Sequence, residues 1–196
     1  VESTRRHHGN RHGRSELARQ AVLDAADDLL AERGFAGFTI EGVAARAGVA
    51  KQTIYRWWPS KVDILMDAFV KDVHQHLTLP DTGALPDDLT GYLNDLADFL
   101  AHTDQGAVFR ALAGQAQHDR AIAARFRDEC VEPLRAKERS VLERAVQRGE
   151  LAGDLDVELA VDQLFGPLYY RVLVTGEPAS RELTEALVRD FLVRFS

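Results

Sequence analysis

The stretch from Thr39 to Lys61, TIEGVAARAGVAKQTIYRWWPSK, constrains the fold more than any other part of the chain. It holds two helical patterns, Ile40 to Ala47 and residues 51–58, with Gly48 between them. Both are short. Thr39 can cap the first, and Glu41 stands in its first turn, where the helix dipole favours a carboxylate. Gly48 can take the positive φ of a tight interhelical turn, and Val49 plugs the turn's apolar inner side. Pro59 disfavours helical geometry at Trp58 and ends the second pattern; Ser60 caps the next helix. Helix, glycine turn, helix is a helix-turn-helix arrangement.

Helical spacing extends through the rest of the chain, and no strand pattern competes with it. Ser15 is expected to cap a first helix with apolar positions Leu17, Ala21, Val22, Ala25, Leu29 and Leu30, ending at Arg33-Gly34. Further helices are expected over residues 60–79, from Asp87-Asp88 through Leu89, Tyr92, Leu93, Leu96, Phe99 and Leu100, and over 105–117, 120–149, 157–175 and 181–195. The fold class is all-α. With 196 residues, 45% of them hydrophobic, the chain can bury a sizeable core. The expected division is a flexible basic arm over 1–14, a helix-turn-helix domain over 15–61 and a second helical domain over 62–196.

Charge separates the two parts. Residues 1–61 carry ten Lys/Arg against seven Asp/Glu, a net +3, and residues 62–196 carry a net −10. The opening VESTRRHHGNRHGR has Arg5, Arg6, Arg11 and Arg14 and nothing to build a core. It reads either as an arm that lies along nucleic-acid phosphates or as a solvated tail. No apolar run reaches the roughly 18 residues of a membrane span, and the N-terminus has no signal-like stretch, so a cytoplasmic protein with no membrane partner is expected. The one cysteine, Cys130, cannot form an intrachain disulfide. It reads as a packed small residue in preference to a redox sensor.

Enzyme chemistry lacks a foothold. There is no G-x-S-x-G, G-x-G-x-x-G, phosphate-binding glycine loop or H-E-x-x-H. The pairs Asp27-Asp28, Asp87-Asp88 and Asp128-Glu129 point about 100° apart on a helix and read as solvated or capping groups. His74 and His76, two apart, cannot chelate one ion from a helix, and His7, His8 and His12 read as solvated; no metal and no cofactor is expected.

The second short helix has two faces. At about 100° per residue, Ile54 and Trp58 share the inner side, and Gln52 and Arg56 lie opposite. Gln pairs with adenine edges and Arg with guanine edges, whereas the hydroxyls of Thr53 and Tyr55 and the ammonium of Lys61 suit phosphate oxygens. Lys51 sits at the leading end, which approaches the major groove in a recognition helix. Trp57, at the boundary, either packs against the sugar-phosphate chain or packs on the first helix.

FTIEGVAARAGVAKQTIYRWWPSKVDIL closely resembles the DNA-binding signature of the TetR family of transcriptional regulators, over about the first 70 residues. The resemblance implies that Thr39, Lys51, Gln52, Thr53, Tyr55, Arg56, Trp57 and Lys61 contact DNA. One departure is Ala50, where many members carry a capping residue, a loss of about 1 kcal/mol for the recognition helix. The run GPLYYRVLVTGEP is similar to a C-terminal domain type common among such regulators, which implies a ligand-binding and dimerisation domain. The implied protein is a homodimeric, ligand-responsive regulator, a repressor more often than an activator, on a palindromic operator.

In the C-terminal part, Phe99, His102, Phe109, Gln115, Phe126, Phe165 and Tyr169 combine bulky apolar surface with a few hydrogen-bonding groups. They are expected to line a pocket for a small hydrophobic or amphipathic effector. VELAVDQLFGPLYYRVLV is apolar on nearly all sides and must be covered twice, once by its own subunit and once by a second copy. Val161, Leu164, Leu168 and Val172, with Leu187 and Phe191 of the last helix, are expected at that interface, and Pro167 is expected to bend the helix. The alternative is a constitutive architectural DNA-binding protein without an effector. An enclosed cavity of about a few hundred Å³ in the C-terminal half favours sensing; a filled bundle favours architecture.

Overall fold

Gly34 sets the geometry of the N-terminal part: its φ of 62° and ψ of 178° interrupt the first helix and turn the chain toward Phe35 and Phe38. The structure, a computed structural model, describes the backbone of residues 11–196 and the side chains of residues 15–70 and 77–196. Its described elements are all helical: α1 (Arg11–Gly37), α2 (Ile40–Ala47), α3 (Lys51–Trp57), α4 (Lys61–His76), α5 (Leu85–His102), α6 (Asp104–Ala116), α7 (Arg120–Arg125), α8 (Glu132–Gln147), α9 (Val157–Tyr169) and α10 (Arg181–Phe195). Wider π-helical turns, Phe126–Val131 and Tyr170–Thr175, join α7 to α8 and extend α9. The chain forms two compact units, one up to Ala68 and one from Phe69 onward.

In the first unit α2 packs on α1 and α3 on α2. The core is Val22, Leu29, Leu30, Phe38, Val43, Ile54, Trp58 and Leu65. Two expectations fail at the start of α1. The backbone is already helical from Arg11, so Ser15 lies inside the helix and the last residues of the expected arm belong to α1. Leu17 is exposed, because the buried stripe begins only at Val22. The arm's first ten residues, and the side chains of His74 and His76, lie outside the described residues. Thr39 caps α2 by accepting the Gly42 N–H, and Gly48 closes α2 at φ 64°. Ala50 precedes α3 with no side-chain cap. Ser60 and Asp63 cap α4 reciprocally: Asp63 Oδ2 accepts from the Ser60 N–H at 2.9 Å, and Ser60 Oγ accepts from the Asp63 N–H at 3.4 Å.

In the second unit α5 is the central helix, burying Leu89, Tyr92, Leu93, Leu96 and Leu100 against α6 and α10. Asp88 is buried, not solvated. It accepts the backbone N–H and the hydroxyl of Thr82 at 2.8 and 2.7 Å, which fixes the turn before α5. The stretch 120–149 resolves into α7, a π turn and α8, with Pro133 in the first turn of α8. Pro167 stays inside α9, and the turns beyond it widen until Gly176 closes them at φ 72°. The inner side of α9, with Val161, Leu164 and Leu168, is buried against α5 and α8 of the same chain. These three residues, expected to face a second copy, belong to the chain's own core; Leu168 is 0% exposed.

Candidate nucleic-acid interface and interior cavity

Ile54 and Trp58 are buried beneath α3, and Lys51, Gln52, Tyr55 and Arg56 are exposed above it, as the helical period requires. The inner side is anchored by more than apolar contact. Trp58 Nε1 donates to Asp67 Oδ2 at 2.9 Å, Arg19 Nη2 donates to the same oxygen at 2.6 Å, and the Arg19 guanidinium lies 5.5 Å from the Trp58 ring centre. Trp57 is half-buried. It meets Trp58 edge-on at 5.6 Å, and the Arg56 guanidinium stands 5.7 Å from its ring, so its contacts are with its neighbours in sequence.

Thr39, Tyr55, Ser60 and Lys61, from three helix ends, line one concavity of about 320 Å³. It gathers hydroxyls and one ammonium, groups that suit a phosphate oxygen, beside the Glu41 carboxylate, which Lys51 neutralises. The Lys61 ammonium is anchored from behind: it donates to the carbonyls of Phe35 and Phe38 at 3.2 and 3.4 Å and lies 4.1 Å from the Phe35 ring centre. Lys51 donates to Glu41 at 2.9 Å, and this bond holds the Glu41 carboxyl below its ordinary value. Thr53 is half-buried.

The second unit contains a cavity of about 210 Å³ lined by Phe109, Phe126, Phe165, Tyr169, Val131, Val161, Leu173 and Gly166 together with Arg135, Glu138 and Asp162. Phe109 is the hub of the aromatic wall, with ring centres 5.0 Å from Phe126 and 5.9 Å from Tyr169. Burial pushes the Glu138 carboxyl up to about 7; the Tyr92 hydrogen bond and the Arg135 charge oppose that shift, and Asp162 adds to it. Burial also raises the Tyr92 phenol, with the Glu138 charge adding, and holds the Tyr169 phenol well above its ordinary range.

Of the pocket residues expected from sequence, Phe109, Phe126, Phe165 and Tyr169 come together on this cavity. Phe99 does not: it packs on Phe69 at 6.3 Å in the core. His102 is exposed and borders a separate depression with Arg110, Val172 and Glu177. Gln115, half-buried on α6, is absent from the cavity wall. Sequence reasoning missed Arg135 and Glu138. The available signal was Glu138 in register with Leu134, Val141, Leu142 and Ala145, a carboxyl in an otherwise apolar stripe.

Phe191 is buried with the core, whereas Val172 and Leu187 are half-buried. A different apolar set faces outward at the C-terminal end: Leu159, Tyr170, Val174 and Val193, the last three 59%, 70% and 83% exposed. Cys130 is 0% exposed, and burial raises its thiol to about 12, which keeps it protonated and unreactive. Among the described residues no group of three His, Cys, Asp or Glu side chains is placed to hold a metal, and no helix is long and apolar enough to cross a membrane.

Residues 22–68 match the model of bacterial regulatory proteins of the tetR family, and residues 79–191 match the tetracyclin repressor-like C-terminal domain. An uncharacterised HTH-type transcriptional regulator of Bacillus subtilis, YdeS, is 38% identical over 92% of this chain and 88% of its own. The DNA-binding transcriptional repressor TetR of Mycobacteroides abscessus is 32% identical over 92% of this chain and 94% of its own. Among solved structures, the TetR family transcription regulator SCO0332 has 36% identity and a TM-score of 0.78, covering 90% of this chain and 97% of that one. FadR of Bacillus subtilis, solved in complex with stearoyl-CoA, shares the fold with a TM-score of 0.69 at 21% identity, over 88% of this chain and 97% of that one. A helix-turn-helix unit with an exposed polar face on α3, a second helical unit with a partly open cavity, and relatives that are DNA-binding regulators and not enzymes lead to one assignment: the chain belongs to the TetR family of transcriptional regulators.

Proposed function

We propose that the chain is a ligand-responsive repressor that binds a two-fold symmetric operator as a homodimer and leaves it when a small, largely apolar molecule fills the second unit. The cavity of about 210 Å³ is the observation that carries this reading, because a purely architectural protein has no need of a void walled by four aromatic rings. Gln52 and Arg56 read base edges in this scheme, and Thr39, Tyr55 and Lys61 hold a phosphate in their shared concavity. Lys51, Thr53 and Trp57 support them from the ends and flank of α3. FadR was solved with stearoyl-CoA bound, so a ligand with a long apolar chain and a polar head has a precedent in this fold; its 21% identity extends no further than that.

The proposed dimer face uses the outward residues of the last two helices. Leu159, Tyr170 and Val174 recur at i, i+11 and i+15, one face of α9 and its extension, and Val193 projects from α10. Large apolar side chains left in water on neighbouring helices suit a second copy, since a two-fold axis sets identical patches together. Two recognition helices must then match successive major grooves, about 34–36 Å apart. An effector that favours another spacing lowers operator affinity by the factor through which the operator lowers effector affinity. The test selects a binding site from random duplexes with the purified protein, then measures its affinity and the oligomeric state of Tyr170→Glu/Val174→Glu. A folded monomer with at least tenfold weaker operator binding is expected. A dimer unchanged by light scattering would move the interface elsewhere, and selection of no symmetric site would overturn the repressor reading.

A further inference from the structure

Glu138 carries a carboxyl group where the packing calls for none. It is 1% exposed, on the apolar stripe of α8, and its Oε1 accepts the Tyr92 hydroxyl at 3.3 Å. Removing an ionised carboxylate from water is costly unless a partner compensates it. The cation one turn away, Arg135, is directed to α9, where Nη1 donates to Asp162 at 2.5 Å and Nη2 to Glu158 at 3.0 Å. The wall thus holds two carboxylates, Glu138 and Asp162, against one guanidinium already paired with Asp162 and Glu158. The rest of the wall is apolar: the rings of Phe109 from α6, Phe126 from the π turn, and Phe165 and Tyr169 from α9, with Val131, Val161, Gly166 and Leu173.

We propose that the effector is a compact lipophilic cation, an ammonium group on an aromatic or short alkyl body, with its charged head against Glu138 and its body among Phe109, Phe126, Phe165 and Tyr169. This rests on the cavity being the effector site. A cation supplies the charge that Glu138 lacks, and the negative faces of aromatic rings attract it further when water is excluded. A neutral apolar ligand would remove the last water from the carboxyl and compensate nothing. An anion would meet Glu138 and Asp162 with the guanidinium of the wall already engaged. The volume of about 210 Å³ lies below the roughly 300–1,000 Å³ usual for drug-sized ligands, which selects a small body. The groups facing Glu138 are Tyr92 from α5, Arg135 from its own helix, and Asp162 and Tyr169 from α9; burial brings its carboxyl to about 7, so a bound cation holds it ionised at neutral pH.

Three probes of one shape and different charge test this on the full chain by calorimetry: benzyltrimethylammonium, its uncharged carbon isostere neopentylbenzene, and 3-phenylpropanoate. The cation should bind at least tenfold tighter than the isostere, and the anion should not bind measurably. Glu138→Gln, checked for native helicity, should weaken the cation at least tenfold while affinity for the isostere holds or rises. If the isostere or the anion binds as tightly as the cation, or Glu138→Gln leaves cation affinity unchanged, the cation assignment falls and the effector site stands. If none of the three binds, both fall. The charge series on the unaltered protein decides the matter even where the variant does not fold.

Discussion

Helices α3 and α8 place their charged residues in opposite ways. On α3 the apolar residues Ile54 and Trp58 go inward while Lys51, Gln52 and Arg56 stay in water; on α8 a carboxyl, Glu138, lies inside the apolar stripe. The first arrangement keeps its charges hydrated and within reach of an outside partner. The second is unfavourable to the fold while the carboxyl is ionised. On the proposed function, the unit that reads a polyanion does so with exposed donors and the unit that takes a small molecule does so with a largely buried carboxyl, so the two divide the labour by burial.

The largest effect is expected at Trp58, which follows α3 directly and with Ile54 anchors its inner side. Trp58→Ala removes a fully packed ring, its hydrogen bond to Asp67 and the stacking of Arg19. The expected cost is about 3–5 kcal/mol, read from urea unfolding, with operator binding lost alongside. Trp57→Ala, at a half-buried ring, should cost less than half as much. Equal costs would mean that the inner and outer sides of α3 are not energetically distinct.

How far each side could be read from the sequence depends on the same physics. On α3 and its flanks, spacing and chemistry agree: Thr39 caps, Gly48 turns, Ile54 and Trp58 pack, and the structure places each as its pattern requires. In the second unit the aromatic members Phe109, Phe126, Phe165 and Tyr169 were legible as bulky apolar residues on core-facing helices. Phe99, equally aromatic, packs on Phe69, because side-chain type does not say which core positions border a void. Helix α9 was misjudged for a related reason. A helix apolar all round does not reveal which side its own subunit covers, and Val161, Leu164 and Leu168 are taken by α5 and α8. The outward side is marked instead by Asp162, Gln163 and Tyr170, the polar breaks in the pattern. Ser15 failed because a residue that can cap does not have to: α1 was already formed four residues earlier, at Arg11.

The unfavourable burial on α8 has a pH signature. Glu138 is an acid whose carboxyl rises from 4.5 to about 7 in the fold, so the folded chain holds that proton more tightly than the unfolded chain does. Between those two values the fold takes up a proton, so stability falls as pH rises through the window and the loss is complete above about 7. Its size is on the order of 3 kcal/mol. Glu138→Gln should lack this component. The variant's stability relative to the native chain, from urea unfolding, should therefore improve between pH 5 and 8. A difference independent of pH would show that the carboxyl is well compensated without any ligand, and the contrast with α3 would lose its basis.

On the exposed side, Gln52→Ala and Arg56→Ala should each cost about 1–3 kcal/mol on the selected operator and relax base preference at one position, leaving stability nearly unchanged. Lys61→Ala should weaken binding about equally on all sequences and flatten the salt dependence by roughly 0.9 log unit. It should also loosen the Phe35–Phe38 turn that the ammonium holds. Affinity measured at two salt concentrations on the operator and on a scrambled duplex separates these roles. An Arg56 variant that loses affinity equally on both would reassign that residue from base reading to backbone positioning.

The smallest expected effect concerns how firmly α3 is formed before DNA arrives. Ala50 sits in the extended conformation suited to a cap, φ −62° and ψ 136°, and offers no side-chain acceptor; its carbonyl alone takes the Thr53 N–H at 2.9 Å and the Ile54 N–H at 3.2 Å. Ala50→Ser adds that acceptor and should stabilise the chain by about 1 kcal/mol in thermal or urea unfolding. Operator affinity then distinguishes two states of the free protein. If α3 is already ordered, the gain applies equally to free and bound forms and affinity stays the same. If its first turn frays in the free chain and is ordered only on the duplex, the serine removes part of that ordering cost, and affinity should rise by up to about fivefold for the same 1 kcal/mol. A rise would mean that the face of α3, though built from exposed residues needing no rearrangement of charge, is completed only by its target.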